Sequence, residues 1–229
     1  MTLRPVFIFA LVVLLLNAPA LGSAEVTYNQ AYKTSTSVAE LANTVIGMKI
    51  QVYSMLTALK GLTGESSAER LQAVSDELAN LVKNSGLLSE QAKQISTLKS
   101  EHLASFKQNA AEEGGVSGGA GQADIEQGFN QLQEEMAGAS QYFDPVIMSL
   151  KNVEQMLAAN LSAAGTEPVS GLIATIERKS RALYLALDKL SGRCAELARV
   201  TAPEGMDIDE LIAEEVEEDL GLAEAFEQM

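Results

Sequence analysis

Tryptophan is absent from this 229-residue chain, and histidine and cysteine occur once each, as His102 and Cys194. A zinc centre built from Cys and His needs several such ligands, and a disulfide framework needs paired cysteines, so neither is expected. Basic residues are scarce too: 16 Lys and Arg stand against 31 Asp and Glu, a formal net charge of -15. That balance opposes duplex or phosphate binding, which wants a basic face, so no nucleic-acid partner is expected. The period-two alternation of strands is missing throughout. Apolar residues, at 47%, are plentiful enough to bury a core and to exclude disorder along the whole chain.

Met1 to Arg4 make a short positive start, and Val6 to Leu16 form an unbroken apolar run closed by Asn17, Pro19 and Gly22. This is the plan of a secretory signal peptide, with small-x-small sites at Ala18-Pro19-Ala20 and Gly22-Ser23-Ala24. Cleavage after Ala24 is favoured, which makes 1–24 the signal peptide and the protein periplasmic or otherwise secreted. An uncleaved anchor is the alternative, but a spanning helix wants about 20 apolar residues and this run is much shorter. A lipid anchor needs a Cys at the cleavage point, and none is there.

Beyond residue 33 the apolar residues alternate three and four apart, the seam of a coiled coil or long bundle helix. The first helix, about 34–61, carries Val38, Leu41, Val45, Met48, Val52, Met55 and Leu59. The second, about 66–110, opens on a Ser66/Glu69 capping box and runs through Leu71, Val74, Leu78, Leu81, Ser85, Leu88, Ala92 and Ile95, bending at Gly86. A Gly-rich stretch, 112–122, follows. It lacks the preceding strand and the Lys of a phosphate-binding loop, and reads as a linker. The third helix, about 124–162, holds Ile125, Phe129, Leu132, Met136, Ala139, Phe143, Val146, Leu150, Val153 and Leu157. Pro145 lies inside it, predicting either a kink or a second helix starting at Asp144-Pro145. The fourth, about 168–200, carries Val169, Ile173, Ile176, Ser180, Leu183, Leu187, Leu190, Cys194 and Leu197. Single stripes joined by short connections predict an all-α, elongated, antiparallel four-helix bundle over 34–200. The unequal lengths further predict that the second and third helices project beyond the other two as a pair.

Asp144-Pro145-Val146-Ile147, Leu157-Ala158-Ala159-Asn160-Leu161 and Ile176-Glu177 together resemble an uncharacterised bacterial family of exported, all-helical coiled-coil proteins. In that family a Pro-Val-aliphatic step opens a helix, an Asn-Leu step closes it and an Ile-Glu helix follows. The resemblance spans about residues 130–200 and implies a periplasmic helical protein. It supplies no functional residue.

Candidate chemistry is sparse. His102 has Lys99, not Glu, three residues before it, so the Glu-x-x-His of carboxylate-bridged di-iron bundles is absent and no metal or other cofactor is expected. Cys194 sits on the seam as a small buried hydrophobe, with an intermolecular disulfide as the alternative. Ser96-Thr97-Leu98-Lys99 matches a Ser-x-x-Lys signature but lacks its companion tripeptides and any α/β scaffold. The carboxylate pairs Glu112/Glu113 and Glu134/Glu135 have no pocket to shift their pKa. Asn160-Leu161-Ser162 is a glycosylation sequon only in a eukaryotic context. An enzyme is not expected.

From Glu204 to Met229 there are eleven acids and no base. Ile208, Leu211, Ile212, Val216 and Leu220 fall at helical spacing, so 201–229 reads as an acidic tail bearing a short amphipathic helix from Asp207 to about Asp219. An acidic face opposes anionic lipid and points to a protein partner or self-association, with membrane contact only through an uncleaved signal segment. Six bases against three acids lie between Glu177 and Arg199 on the fourth helix. The tail is therefore expected to fold back on that helix's outer face, with Ile208, Leu211, Ile212 and Val216 meeting Arg178, Arg181 and Arg199 after a reversal at Pro203 and Gly205. The expected function is an exported, non-enzymatic bundle working through protein–protein contacts (adaptor, chaperone-like or envelope-associated). The alternative is a ligand-binding sensor bundle with Ser85, Ala92 and Ser180 facing a cavity.

Overall fold

The computed structural model describes residues 20–61, 67–112, 119–159 and 167–212. Four helices account for nearly all of them: α1 (Ala20–Gly61), α2 (Ser67–Glu112), α3 (Gly119–Ala159) and α4 (Glu167–Thr201). No strand occurs among the described residues. Each helix packs on the next in sequence, and α4 closes the ring against α1. The chain is an antiparallel four-helix bundle.

The cross-helix bonds fix the direction. Lys33 meets Glu101 at 2.7 Å and Gln51 accepts from Asn84 at 2.5 Å, so α1 ascends as α2 descends. Ser75 reaches Glu154 at 2.8 Å and Lys99 reaches Asn130 at 2.5 Å, reversing α3 against α2. Lys179 bonds Ser149 at 2.7 Å, and Lys189 pairs with Glu135 at 2.7 Å, reversing α4 against α3.

The seam is buried at most of the positions the apolar alternation marked, with Leu71, Ser85, Ala92 and Ile173 half-buried. Val38, Val45, Val52, Leu81, Leu88, Phe129, Leu132, Val146, Leu150, Leu183 and Leu190 are all fully covered, and one core runs the length of the bundle.

Several boundaries differ from the sequence expectation. α1 begins at Ala20, not near residue 34, and so crosses the expected cleavage site. The seam extends upstream of Val38 through the fully buried Thr34, a polar occupant that a count of apolar residues does not register. With α1 at 42 residues beside 46 and 41 for α2 and α3, no two-helix projection forms. The expected linker 112–122 shrinks from both ends, since Glu112 belongs to α2 and α3 begins at Gly119. Glycine weakens a helix by roughly 1 kcal/mol relative to alanine but does not block one. Ser66, Glu113 and Asn160–Ser162 lie outside the described residues, as do residues 1–19 of the expected signal segment.

α3 is one continuous helix through Pro145, not two, so the Pro-Val step opens no helix here. Proline brings no N–H to the carbonyl four residues back. Just beyond it, the Pro145 carbonyl accepts from Ser149 Oγ at 2.8 Å and from Lys179 Nζ at 3.2 Å. α2 is likewise continuous through Gly86.

Candidate functional site

The contact between α1 and α4 is the most extensive in the bundle. Its register is set by Lys49 Nζ on Asp188 Oδ1 at 2.8 Å. Continued toward the α1 N-terminus, that register brings Ser35, Ala39 and Ala42 opposite Ala202, Ala198 and Ala195. Ser35, Ala39, Ala42 and Ala198 are 1% exposed or less, which small side chains permit by letting backbones approach.

After Thr201 the chain turns back over this seam. The Pro203 carbonyl accepts from Met206 N–H at 3.2 Å, with Gly205 at φ 85°. Only glycine adopts that conformation without strain, which is why the reversal falls where Pro203 and Gly205 stand. Asp207 Oδ1 then accepts from the Asp209 N–H at 3.0 Å, in the manner of a helix cap, and the Ile208 carbonyl accepts from Leu211 and Ile212 N–H at 3.0 Å each. The expected helix from Asp207 is, over 207–212, a capped turn; residues 213–219 lie outside the described part.

This strap is held at four points. Ile208 is 4% exposed and joins the core, with Met206 and Ile212 packed against it. Ser35 Oγ lies 3.1 Å from Met206 Sδ. Asn43 Nδ2 donates to the Leu211 carbonyl at 2.8 Å. Arg199 grips Asp209 Oδ1 with Nε at 2.9 Å and a terminal nitrogen at 2.6 Å.

Of the residues singled out for the dock, Ile208 and Ile212 thus meet the bundle, and Arg199 of α4 holds the strap. Leu211 does so through its carbonyl, with its side chain 40% exposed. The dock differs from the expectation: the strap lies across α1 and α4, not on the outer face of α4 alone. Arg178 and Arg181 take no part in it. They stand 21 and 18 residues before Arg199, roughly 27–32 Å up the helix at 1.5 Å per residue. Val216 lies outside the described residues.

Two buried polar centres adjoin this seam. Lys49, 1% exposed, sits with its ammonium on Asp188 and 5.4 Å from the Tyr184 ring centroid. It escaped the sequence reading because it flanks the seam beside Met48; Tyr184 and Asp188, four apart on α4, were the available signal. His102 is 2% exposed, with Nδ1 2.8 Å from Thr34 Oγ1 and its ring near Phe106 and Phe129. Its Nε2 is buried without a hydrogen-bond partner. Burial lowers its pKa below the ordinary 6.5, opposed in part by the Gln30 backbone.

The other candidates resolve into structure. Cys194 is fully buried, which removes it from any intermolecular disulfide without unfolding, and burial pushes its thiol well above the ordinary range. Ser96 bonds Gln133 and the Ala92 carbonyl while Lys99 bonds Asn130, so they serve the α2–α3 surface. Glu135 pairs with Lys189. Glu77 is raised by burial, then lowered by Asn80 and raised by Asp76. Ser180 is fully buried with an unpartnered hydroxyl, whereas Ser85 and Ala92 are half-buried. No group of three or more His, Cys, Asp or Glu suited to a metal occurs among the described residues, and no described helix is long and apolar enough to cross a membrane.

Comparisons with known proteins return no match: no family model fits the chain, and no curated protein or solved structure is similar to it.

Proposed function

We propose that this is an exported helical-bundle protein that acts through protein–protein contacts, in an adaptor, chaperone-like or envelope-associated role, without catalysis. The observation that carries this reading is the anchored root of the acidic tail. A strap pinned by Ile208, the Arg199–Asp209 pair and the Asn43–Leu211 bond fixes the root from which the acidic residues continue. Seven acids and no base follow Ile212 in the sequence. A dense acidic segment launched from a fixed point suits a basic protein face and favours fast, salt-sensitive encounter. Export rests on the apolar run ahead of Ala24, and kinship with the uncharacterised exported family on the Leu157–Leu161 and Ile176-Glu177 steps.

The test is affinity capture from the native envelope with the full chain and with a full chain carrying Glu214, Glu215, Glu217 and Glu218 changed to Gln. The reading expects a defined partner held by the first, lost from the second and released by salt. Capture indifferent to those substitutions, or no partner at all, overturns it.

A sensor-type bundle is the second reading, favoured by the buried, unpartnered Ser180 hydroxyl. The grooves among the described residues lie between helices at the surface. One of about 390 Å³ is lined by Leu71, Ser75 and Glu154 among others, away from Ser180.

A further inference from the structure

The strap engages the first member of two heptad-spaced stripes, and both stripes continue past it. On α1 the stripe is Asn43, Ile50, Thr57; on α4 it is Arg199, Gly192, Leu185, Arg178. Positions seven apart share one helix face. Asn43 and Arg199 hold the Leu211 carbonyl and the Asp209 carboxylate. The next members include two exposed apolar side chains, Ile50 at 43% and Leu185 at 57% exposure, with Gly192 offering an open floor between.

The strap's direction is also set. From Met206 beside Ser35 to Leu211 beside Asn43 it travels up α1 and therefore back down α4. We propose that the groove between α1 and α4 beyond Ile212 is the dock of this chain's own residues 213–223, laid along it as an acidic amphipathic segment with Val216 and Leu220 over Ile50 and Leu185.

Reach agrees with this. One heptad is about 10.5 Å of helix, so Ile50 lies that far beyond Asn43 and Leu185 about 21 Å from Arg199. A helical path starting at Leu211 and Asp209 brings residues 216–220 to Ile50 and 220–223 to Leu185. Charge agrees as well: Ala213 to Ala223 holds five acids and no base, against Arg178 and Arg181 on α4, whose other bases are engaged by α3, by Glu196 or by the strap. Exposed ion pairs of this kind add little singly and are screened by salt, so the apolar pair decides the placement. The inference does not depend on export or on any partner.

The absence of Trp supplies the assay. Leu185→Trp, at an exposed position, places the sole indole in the full chain. A companion chain adds Val216→Asp and Leu220→Asp, and a control carries Tyr142→Trp alone, on the exposed face of α3. Expected are a blue-shifted emission and weak acrylamide quenching for Leu185→Trp, both lost with the two Asp substitutions at unchanged helical circular dichroism. Tyr142→Trp should stay fully quenched. Ile50→Trp repeats the test from α1. Full quenching of both groove indoles overturns the proposal. So does shielding that develops only as protein concentration rises, which would assign the groove to a second copy's tail, or equal shielding at Tyr142→Trp.

Discussion

His102 is the one histidine in the chain, so any stability change between pH 7.5 and 5.5 that depends on a histidine must come from it. In the folded protein its ring is closed in by Phe106 and Phe129, with ring centroids 5.2 and 6.1 Å away, and Nε2 lacks a partner. Burial therefore disfavours the imidazolium, and the folded pKa lies below the 6.5 of the free side chain. The unfolded chain takes up a proton near 6.5 while the native one resists, so stability is full above that value and falls as pH drops toward the folded pKa. The slope is bounded by one proton, about 1.4 kcal/mol per pH unit, which is a sizeable part of a domain's ~5–15 kcal/mol. Two other terms run against it. Lower pH relieves repulsion among 31 acids, and Glu77, raised by burial, gains stability on protonation.

Both opposing terms are shared by a His102→Gln variant, so the difference between the two proteins isolates the histidine. Urea unfolding followed by circular dichroism at pH 7.5, 6.5 and 5.5, at one ionic strength, should show the variant weaker at pH 7.5 by about 1 kcal/mol for the lost Thr34 bond. That gap should narrow or reverse by pH 5.5. Parallel curves at all three pH values would show that the ring is solvated in the native state and would refute the burial argument.

Leu183→Ala should cost about 2–4 kcal/mol in chemical denaturation as a fully buried seam residue, and Leu78→Ala, 8% exposed, should fall at the low end; values under about 0.5 for both would overturn the register. Asp188→Ala should destabilise more than Lys49→Met, because it withdraws a carboxylate from an ammonium that stays buried, whereas Met fills the same space without charge; the reverse order in urea unfolding would count against a buried ammonium. Protein from the native host should begin at Glu25 by mass spectrometry, and retention of Met1 would refute cleavage.

How much of this was legible depended on what kind of signal each residue left. Apolar spacing marked the seams of all four helices because a heptad must place its hydrophobes on one face. It missed the first turns of α1 because the seam there is Thr34, whose hydroxyl is satisfied by His102 on another helix, a partnership no local pattern encodes. Lys49 was hidden for the same reason: burial of an ammonium depends on Asp188 arriving from α4. At the strap, Ile208 of the tail and Arg199 of α4 were readable, one as an apolar residue among acids and the other as the base nearest the reversal. Arg178 and Arg181 lie beyond the reach of the described strap, because an outward-facing position gives direction around the axis and nothing about distance along it.

The choice of the α1–α4 groove over the other three has a physical cause that can be tested at one position. α1–α2 is bridged by Lys33–Glu101, α2–α3 by Ser75–Glu154 and Lys99–Asn130, and α3–α4 by Lys189–Glu135, so polar side chains already occupy those grooves. α1 and α4 are bridged as well, by Lys49–Asp188, but further along; beside the strap Ser35, Ala39 and Ala42 stand against Ala195, Ala198 and Ala202, which leave room over the backbone. Ala39 lies one turn after Ser35, which touches Met206, and one turn before Asn43, which holds the Leu211 carbonyl, and it is 1% exposed. Its position midway between those two contacts places it beneath the strap. Ala39→Leu should therefore overpack this seam, costing about 1–3 kcal/mol, and should lift the strap before the bundle loosens. Amide exchange is the measure: the N–H groups of Leu211 and Ile212, which bond the Ile208 carbonyl, should lose protection while those at Leu81 and Leu150 keep theirs. Unchanged protection at Leu211 and Ile212 in a variant that otherwise folds would mean that Ala39 is covered by α4 alone and that the strap owes its place to Arg199 and Asn43, not to the small residues beneath it.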